Sequence, residues 1–155
     1  MDKKRSLLHI VMIFLGLFLA CCAPNSFVRT TSPGWSTIEI RDGVSYDDAW
    51  KSVVDLIAKK FAIEILSKED GYLRTEWLSS WTLSTWTGNL NQNYKVRSII
   101  KFNPDKRIVE VKSEAQYYDG GYFFGIGAGW VMGTDELLST TLKSDIMARV
   151  GKVSK

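Results

Sequence analysis

The sequence predicts an α+β domain, a two-layer sandwich in which an antiparallel sheet is covered on one face by two helices. Two segments carry apolar side chains at helical spacing, and between them lie four segments in which apolar and polar residues alternate. The turns between these four segments are short, so we expect neighbouring strands to be antiparallel. With a first strand ahead of the first helix, the predicted order is β-α-β-β-β-β-α.

The first strand and the first helix are both marked by local signals. Residues 37–40, "TIEI", alternate in the manner of a strand. Ser45 is predicted to cap the helix that follows, because Asp48 lies three residues later as a shorter form of the capping-box acid. The apolar stripe of this helix consists of Trp50, Val53, Val54, Ile57, Ala58 and Phe61.

Four alternating segments predict the middle of the sheet. Residues 62–66 and 72–78 flank a turn at Gly71 and predict a hairpin. Residues 94–102 and 107–118 predict two longer strands. Each segment has one apolar and one charged face, so we expect the helices to cover one side of the sheet only.

A second helix is predicted near the end of the chain. Thr134 is its expected N-cap, with Asp135 and Glu136 in the first turn, where carboxylates interact favourably with the helix dipole. Gly151 is the expected residue after its last turn. The apolar side chains predicted to face the sheet are Leu138, Leu142, Ile146 and Val150.

Residues 1–20 have the features of a signal peptide for export. Basic residues at positions 3–5 precede an apolar run at positions 7–20. This run of 14 residues is shorter than the roughly 20 residues that a membrane-spanning helix needs. We therefore predict an export signal rather than a transmembrane anchor.

The end of the apolar run resembles the lipobox of bacterial lipoproteins. Leu19 and Ala20 precede two cysteines, Cys21 and Cys22. In such proteins the cysteine sulfur takes a diacylglyceryl group, the chain is cut before that cysteine, and the new amine is acylated, for example with palmitate. Cys21 is the predicted lipidation site, because alanine is the commoner residue before the cut, and Cys22 is the alternative. The chain contains no other cysteine, which excludes a disulfide framework.

The lipid implies a membrane location and a simple domain organisation. Residues 21–35, rich in Pro, Ser and Thr, are predicted to be the lipidated N-terminus and a flexible tether, and residues 36–155 a single domain. No aspartate follows either cysteine. By resemblance to the sorting of bacterial lipoproteins, we expect the protein in the outer membrane, lipid-anchored and facing the periplasm.

Composition argues against nucleic acid binding and against most catalytic chemistry. Without residues 1–20, 17 basic and 16 acidic side chains remain, which is no basic footprint for nucleic acid. The one histidine, His9, lies in the signal, so His-based nucleophilic and metal sites are not expected. Glu110 and Glu114 lie on the charged face of one strand among basic residues, and we interpret them as ion-pair partners rather than an acid–base pair. We therefore expect no enzyme activity, cofactor or metal.

Aromatic residues in two polar or glycine-rich segments are the more unusual feature. The predicted loops are residues 79–93 and 119–133. Trp and Tyr are frequent in protein interfaces and at membrane surfaces, so these side chains are candidates for contact with a partner or the membrane. The alternative is that they fold back over the open end of the sandwich. The candidate contact residues are Trp81, Trp86, Tyr122, Phe123, Phe124 and Trp130.

Residues 36–151 resemble the helix-grip domains of a lipoprotein component of the outer-membrane β-barrel assembly machine. The resemblance rests on Trp50, on Gly71, Thr75 and Trp77 in the hairpin, and on the late Gly151. It implies a helix-grip fold and a non-catalytic envelope protein. We therefore expect a lipid-anchored binding or scaffold module for another envelope component, with a protein partner of unknown identity bound through the loops or the charged sheet face.

An alternative function is a periplasm-facing carrier or sensor of a small apolar ligand. Helix-grip folds can hold such a ligand between helix and sheet. A cavity lined by Trp50, Phe61 and Trp77 would favour this alternative, whereas a filled core with exposed aromatic side chains would favour the binding module.

Overall fold

Seven strands and two helices make up the parts of the chain that the computed structural model describes, residues 26–79, 93–119 and 128–152. The strands form one antiparallel sheet in the order β1-β7-β6-β5-β4-β3, and β2 pairs with β6 beside this path. The predicted α+β fold, an antiparallel sheet with two helices, is confirmed. In chain order the elements are β1 (Phe27–Arg29), β2 (Ser36–Glu39), α1 (Tyr46–Ala58), β3 (Ile63–Ser67), β4 (Tyr72–Thr75), β5 (Tyr94–Asn103), β6 (Ile108–Asp119), β7 (Gly129–Asp135) and α2 (Glu136–Val150).

β6 is the most extensively paired strand of the sheet, because it pairs with three other strands. β5 pairs over its own full length with one edge of β6, at residues 108–117. The other edge is shared, since β2 pairs with residues 108–111 and β7 with residues 115–119. β2 and β7 therefore lie end to end beside β6, and β1 extends the sheet beyond β7.

The helices fill one face of the sheet with apolar side chains. In α1, Trp50 is buried and its ring lies 5.1 Å from the ring of Phe102 in β5, centroid to centroid. The buried side of this helix is turned slightly from the predicted stripe, because Leu56 is buried and Ala58 is exposed. The four residues predicted to line α2 are buried as expected, namely Leu138, Leu142, Ile146 and Val150.

The helix caps agree with the sequence at α1 and differ at α2. Ser45 caps α1, and its Oγ accepts a hydrogen bond from the backbone N–H of Asp48 at 3.1 Å. The N-cap of α2 is Asp135 rather than Thr134, which is the penultimate residue of β7. The Asp135 carboxylate accepts a hydrogen bond from the backbone N–H of Leu138 at 2.7 Å. It also places a negative charge at the positive end of the helix dipole.

Two glycines take the places that the sequence assigns to them, for different reasons. Gly71 turns the β3–β4 hairpin with a φ of 59°, a conformation in which other residues are strained. Gly151 ends α2 with extended backbone, at φ −73° and ψ 154°. A Cβ on Gly151 would lie 2.7 Å from the backbone of Met147, so close packing requires glycine there.

β1 corrects the predicted boundary between tether and domain. The sequence predicts a flexible tether through residue 35, but Phe27–Arg29 pairs with the end of β7. Phe27 also packs on Tyr94, with 5.9 Å between the ring centroids. A three-residue strand in a segment rich in Ser, Thr and Pro has no periodicity to reveal it, and the folded unit begins by Ser26.

β7 corrects the predicted glycine-aromatic loop at 119–133. Residues 129–135 form a strand, so the observed order is β-β-α-β-β-β-β-β-α and Trp130 lies in the sheet rather than in a loop. The Trp130 side chain is 46% exposed. The other aromatic contact candidates and the predicted lipidation sites lie outside the described residues, namely Trp81, Trp86, Tyr122, Phe123, Phe124, Cys21 and Cys22.

Candidate functional site

The face of the sheet opposite the helices, called the open face below, carries the candidate site. Among the described residues no helix packs on it. Every second side chain of β5 and β6 points to this face, and these positions hold four basic and two acidic side chains. They are Lys95, Arg97, Lys101, Lys112, Glu110 and Glu114.

Glu114 is a buried carboxylate on the open face and pairs with two basic side chains. It is 8% exposed and lies directly opposite Arg97, whose guanidinium contacts its Oε2 at 2.6 Å, while Lys112 Nζ contacts its Oε1 at 2.9 Å. Burial raises the pKa of the Glu114 carboxyl, but the hydrogen bonds from Lys112 and Arg97 outweigh burial and hold that pKa below its usual value. The charged carboxylate therefore keeps both cations in place.

Glu110 does not share this arrangement. It lies opposite Lys101 in the β5–β6 register, but within the described segments it forms no ion pair. The interpretation as ion-pair partners therefore fits Glu114. It does not fit Glu110, which has no ion-pair partner among the described residues.

Trp77 and Trp130 hold a cation between them. Lys95 Nζ lies 5.1 Å from the ring centre of Trp77 and 4.4 Å from that of Trp130. Arg97 also lies over Trp77, with 4.5 Å from Cζ to the ring centre. Trp130 in turn packs edge-on against Tyr118, with 5.5 Å between the centroids. In the described part of the chain Lys95 has no carboxylate within salt-bridge distance.

A third tryptophan extends this pattern to the other end of the open face. Trp35, just before β2, has Lys101 Nζ at 4.9 Å and Lys112 Nζ at 5.0 Å from its ring centre. Since Lys112 also binds Glu114, the contacts continue from one tryptophan to the next. We call the set the cation–aromatic row: Lys101, Trp35, Lys112, Glu114, Arg97, Trp77, Lys95, Trp130 and Tyr118.

The cation–aromatic row is suited to binding rather than to covalent chemistry. Each exposed cation–π contact contributes about 0.5–1 kcal/mol, so the rings and cations are held in defined positions before any ligand arrives. Flat rings beside ammonium and guanidinium groups can bind a ligand with apolar surface and negative charge. The described residues contain no group of three or more His, Cys, Asp or Glu side chains that could hold a metal ion.

Of the residues predicted from sequence as contacts, only Trp130 lies in the described part, and it belongs to this row. Trp35 and Trp77 are additional members. Alternation through residues 72–78 predicts Trp77 on the same face as Thr75, but β4 ends at Thr75 and Trp77 lies against Lys95 and Arg97 on the open face.

The contacts of the tryptophans also bear on the ligand-carrier alternative. Trp50 and Phe61 belong to the packed core between helices and sheet, whereas Trp77 lies on the opposite face, so these three side chains do not line one cavity. The described residues form a surface depression of about 40 Å³, lined by Ile40, Val44, Tyr46, Pro104 and Arg107. That volume is close to the space of one water molecule.

Comparison with known proteins adds no family assignment. No protein-family profile matches the chain, and no curated protein matches it significantly. Within residues 26–79, 93–119 and 128–152, neither helix has the length and apolar character needed to cross a bilayer.

Proposed function

We propose that this chain is a non-catalytic, lipid-anchored envelope protein that acts as a binding or scaffold module for another envelope component. The observation that carries the proposal is the cation–aromatic row on the open face. Three tryptophans and four basic side chains lie there in a continuous series of contacts, and Trp and Arg are among the residue types that contribute most to interfaces. In this proposal Cys21 takes the lipid and the domain faces the periplasm from the outer membrane.

The same observation supports a binding surface over a purely structural role. A sheet face that only contacts solvent needs no tryptophan, since charged and polar side chains are sufficient there. Here Trp35, at the end of the row away from β7, is 38% exposed. Side chains of this size leave apolar area in water unless a partner covers it.

Photo-crosslinking in intact cells tests the proposal. A photoreactive residue at Thr37, which is exposed on the open face, should give adducts with an envelope component, and the same residue at Ser144, exposed on α2, should not. Lys95→Glu with Lys101→Glu should remove the adducts. The matched control is Lys51→Glu with Lys143→Glu, two exposed lysines of the helices.

The outcomes separate binding from folding. The helix control should keep the melting temperature of the wild type. The variant with Lys95 and Lys101 reversed should remain folded and lose only about 0.5–1 kcal/mol for each cation–π contact that those lysines make. Equal adducts from both positions, or adducts that survive the reversal of Lys95 and Lys101, would show that the open face is not the binding surface.

A further inference from the structure

Exposed apolar side chains are concentrated at one edge of the sheet. The described residues include nine large apolar side chains that are exposed, and five of them lie on β1, β7, the adjoining end of β6 and the first turn of α2. Single exposed apolar residues are ordinary, but a group of them marks a contact surface. We call this group the edge patch: Val28, Tyr118, Trp130, Met132 and Leu137, which are 37% to 58% exposed.

Strand pairing brings four members of the edge patch, Val28, Tyr118, Trp130 and Met132, to the same face of the sheet. Tyr118 lies opposite Trp130 in the β6–β7 register. Val28 lies opposite Thr134, so it is on the open face beside Met132. Leu137 follows in α2, whose first N–H, that of Glu136, donates to the carbonyl of Ser26 at 2.8 Å. The patch therefore surrounds the point at which the described chain begins.

That starting point is close in sequence to the predicted lipid. Cys21 and Ser26 are five residues apart, and five residues of any conformation reach at most about 18 Å. Ser26 itself is fixed, because its Oγ donates to Asp135 Oδ2 at 2.8 Å. An acyl group on Cys21 would consequently hold Ser26, the residue just before β1, within about 18 Å of the lipidated cysteine.

We propose that the edge patch rests on the phospholipid headgroup layer and sets the orientation of the domain on the membrane. The proposal builds on the lipid anchor in the proposed function. Trp and Tyr prefer the membrane–water interface, where an apolar ring meets water, and the headgroup layer is about 5–8 Å thick on each side. The length of the connecting chain selects the membrane as the occupant of this patch.

The charges near the edge patch define the kind of contact. Arg29 and Lys95 are balanced by Asp119 and Glu136, so attraction to anionic lipid is not the main contribution. The contact is apolar, and it should form on zwitterionic and anionic bilayers alike. With this edge on the membrane, β3 is the strand farthest from it, about 24 Å away across five interstrand spacings. The part of the cation–aromatic row from Trp77 to Trp35 then remains accessible to another envelope component.

Fluorescent labelling of the lipidated full chain tests the orientation. With Cys22→Ser, Cys21 is the one native cysteine, and its sulfur is blocked by the lipid. Met132→Cys then offers one thiol in the edge patch, and Leu66→Cys offers a control at a side chain of similar exposure on β3, about 19 Å away across the sheet. Each protein carries a nitrobenzoxadiazole label and is reconstituted into protein-free phosphatidylethanolamine–phosphatidylglycerol vesicles.

The label at position 132 should emit at shorter wavelength in vesicles than in detergent-free buffer and should be quenched by lipids spin-labelled at the headgroup. The label at position 66 should show neither change. Identical responses from the two positions would overturn the proposal. So would a change at position 132 that appears in native envelopes but not in protein-free vesicles, since a protein would then cover the patch.

Mass spectrometry of the same samples separates this proposal from the anchor on which it builds. A chain with the diacylglyceryl group but no change at position 132 refutes the edge patch alone. A chain without the lipid refutes the anchor. In that case the double variant Cys21→Ser with Cys22→Ser, labelled at position 132 and mixed with vesicles at high lipid concentration, tests the patch by itself, and an unchanged spectrum refutes it.

Discussion

Asp135 joins three segments of the fold through one buried carboxylate. Its Oδ1 accepts the N–H of Leu138 at the start of α2, and its Oδ2 accepts the hydroxyls of Tyr94 in β5 and Ser26 ahead of β1. Tyr94 and Asp135 are both fully buried. A buried charge is tolerated when hydrogen bonds surround it, and here the charge also caps a helix.

Tyr94→Phe should lower the free energy of unfolding by about 1.5–3 kcal/mol at neutral pH, because it removes a hydrogen bond to a charged group. Burial, and then the Asp135 carboxylate, raise the pKa of Tyr94 above its ordinary value. The unfolded chain therefore releases this proton near pH 10 while the folded chain retains it, so the stabilisation is complete below about pH 10 and falls above it.

Urea unfolding of both proteins from about pH 7 to pH 11 measures this dependence. The stability difference between wild type and Tyr94→Phe should be constant below about pH 10 and then shrink by up to about 1.4 kcal/mol per pH unit. A constant difference across the whole range would mean that Tyr94 ionises equally in both states.

Ser98 and Ser113 form a matched pair for testing buried hydroxyls. They lie opposite each other in β5 and β6 and both are fully buried. Among the described residues Ser98 Oγ has no hydrogen-bond partner, whereas Ser113 Oγ donates to the Asp135 carbonyl at 2.9 Å.

Ser98→Ala should leave the free energy of unfolding unchanged or raise it by up to about 1 kcal/mol, and Ser113→Ala should lower it by about 1–2 kcal/mol, because only the second leaves a buried partner unsatisfied. Chemical denaturation at neutral pH checks both. If Ser98→Ala is the more harmful of the two, the Ser98 hydroxyl has a partner of its own.

At the scale of elements, local patterns account for the two helices and for the five strands β2 to β6, but not for β1 and β7. Alternation and helical spacing are properties of contiguous residues, so they are visible in the sequence. β7 contains Gly129 and Gly133, which favour a loop in any local interpretation. Gly133 is glycine because the Phe27 ring lies over it, a contact between segments far apart in the chain that no local pattern contains.

On the open face, the charged side chains were predictable from the sequence, but the grouping of the tryptophans was not. Alternation in β5 and β6 gives its charges. The tryptophans come from three separate segments, before β2, after β4 and in β7, and pairing of distant strands brings them together. Trp77 in particular changes face because regular alternation stops at Thr75.

Gly133→Ala tests the docking of β1 on β7. A Cβ at this position would overlap the Phe27 ring and the carbonyl oxygen of Val28, so the strand must shift. We expect a loss of about 1–3 kcal/mol, as for other overpacked sites. Gly129→Ala in the same strand is the control, because its Cβ would meet no atom within 4 Å.

Limited proteolysis and thermal unfolding measure the two glycine variants. Gly133→Ala should expose the segment before β2 to protease, while Gly129→Ala should behave like the wild type. Equal protection of that segment in both variants would show that β1 adapts to the added methyl group without leaving the sheet.

At the scale of the whole molecule, the position of β1 would link the predicted anchor to the domain. Ser26, the first residue that the structure describes, lies five residues after the predicted lipid site, so a lipid at that site would leave the domain little freedom to move away from a membrane. Substitutions at the cysteines nevertheless lie ahead of Ser26 and remove none of the described contacts. Loss of the anchor should therefore leave the fold intact.

Cys21→Ser with Cys22→Ser should abolish labelling with radioactive palmitate and leave the chain unprocessed, because only a thiol takes the diacylglyceryl group. Cys22→Ser alone should label normally and fractionate with the outer membrane on a sucrose gradient. Cys21→Ser alone should not label, which distinguishes the favoured site from its alternative. The melting temperature of each variant, measured in detergent, should match that of the wild type, since none of the described contacts, from Ser26 onward, involves either cysteine. Palmitate in the double variant would disprove the lipobox, and wild-type protein in the inner-membrane fraction would disprove the location.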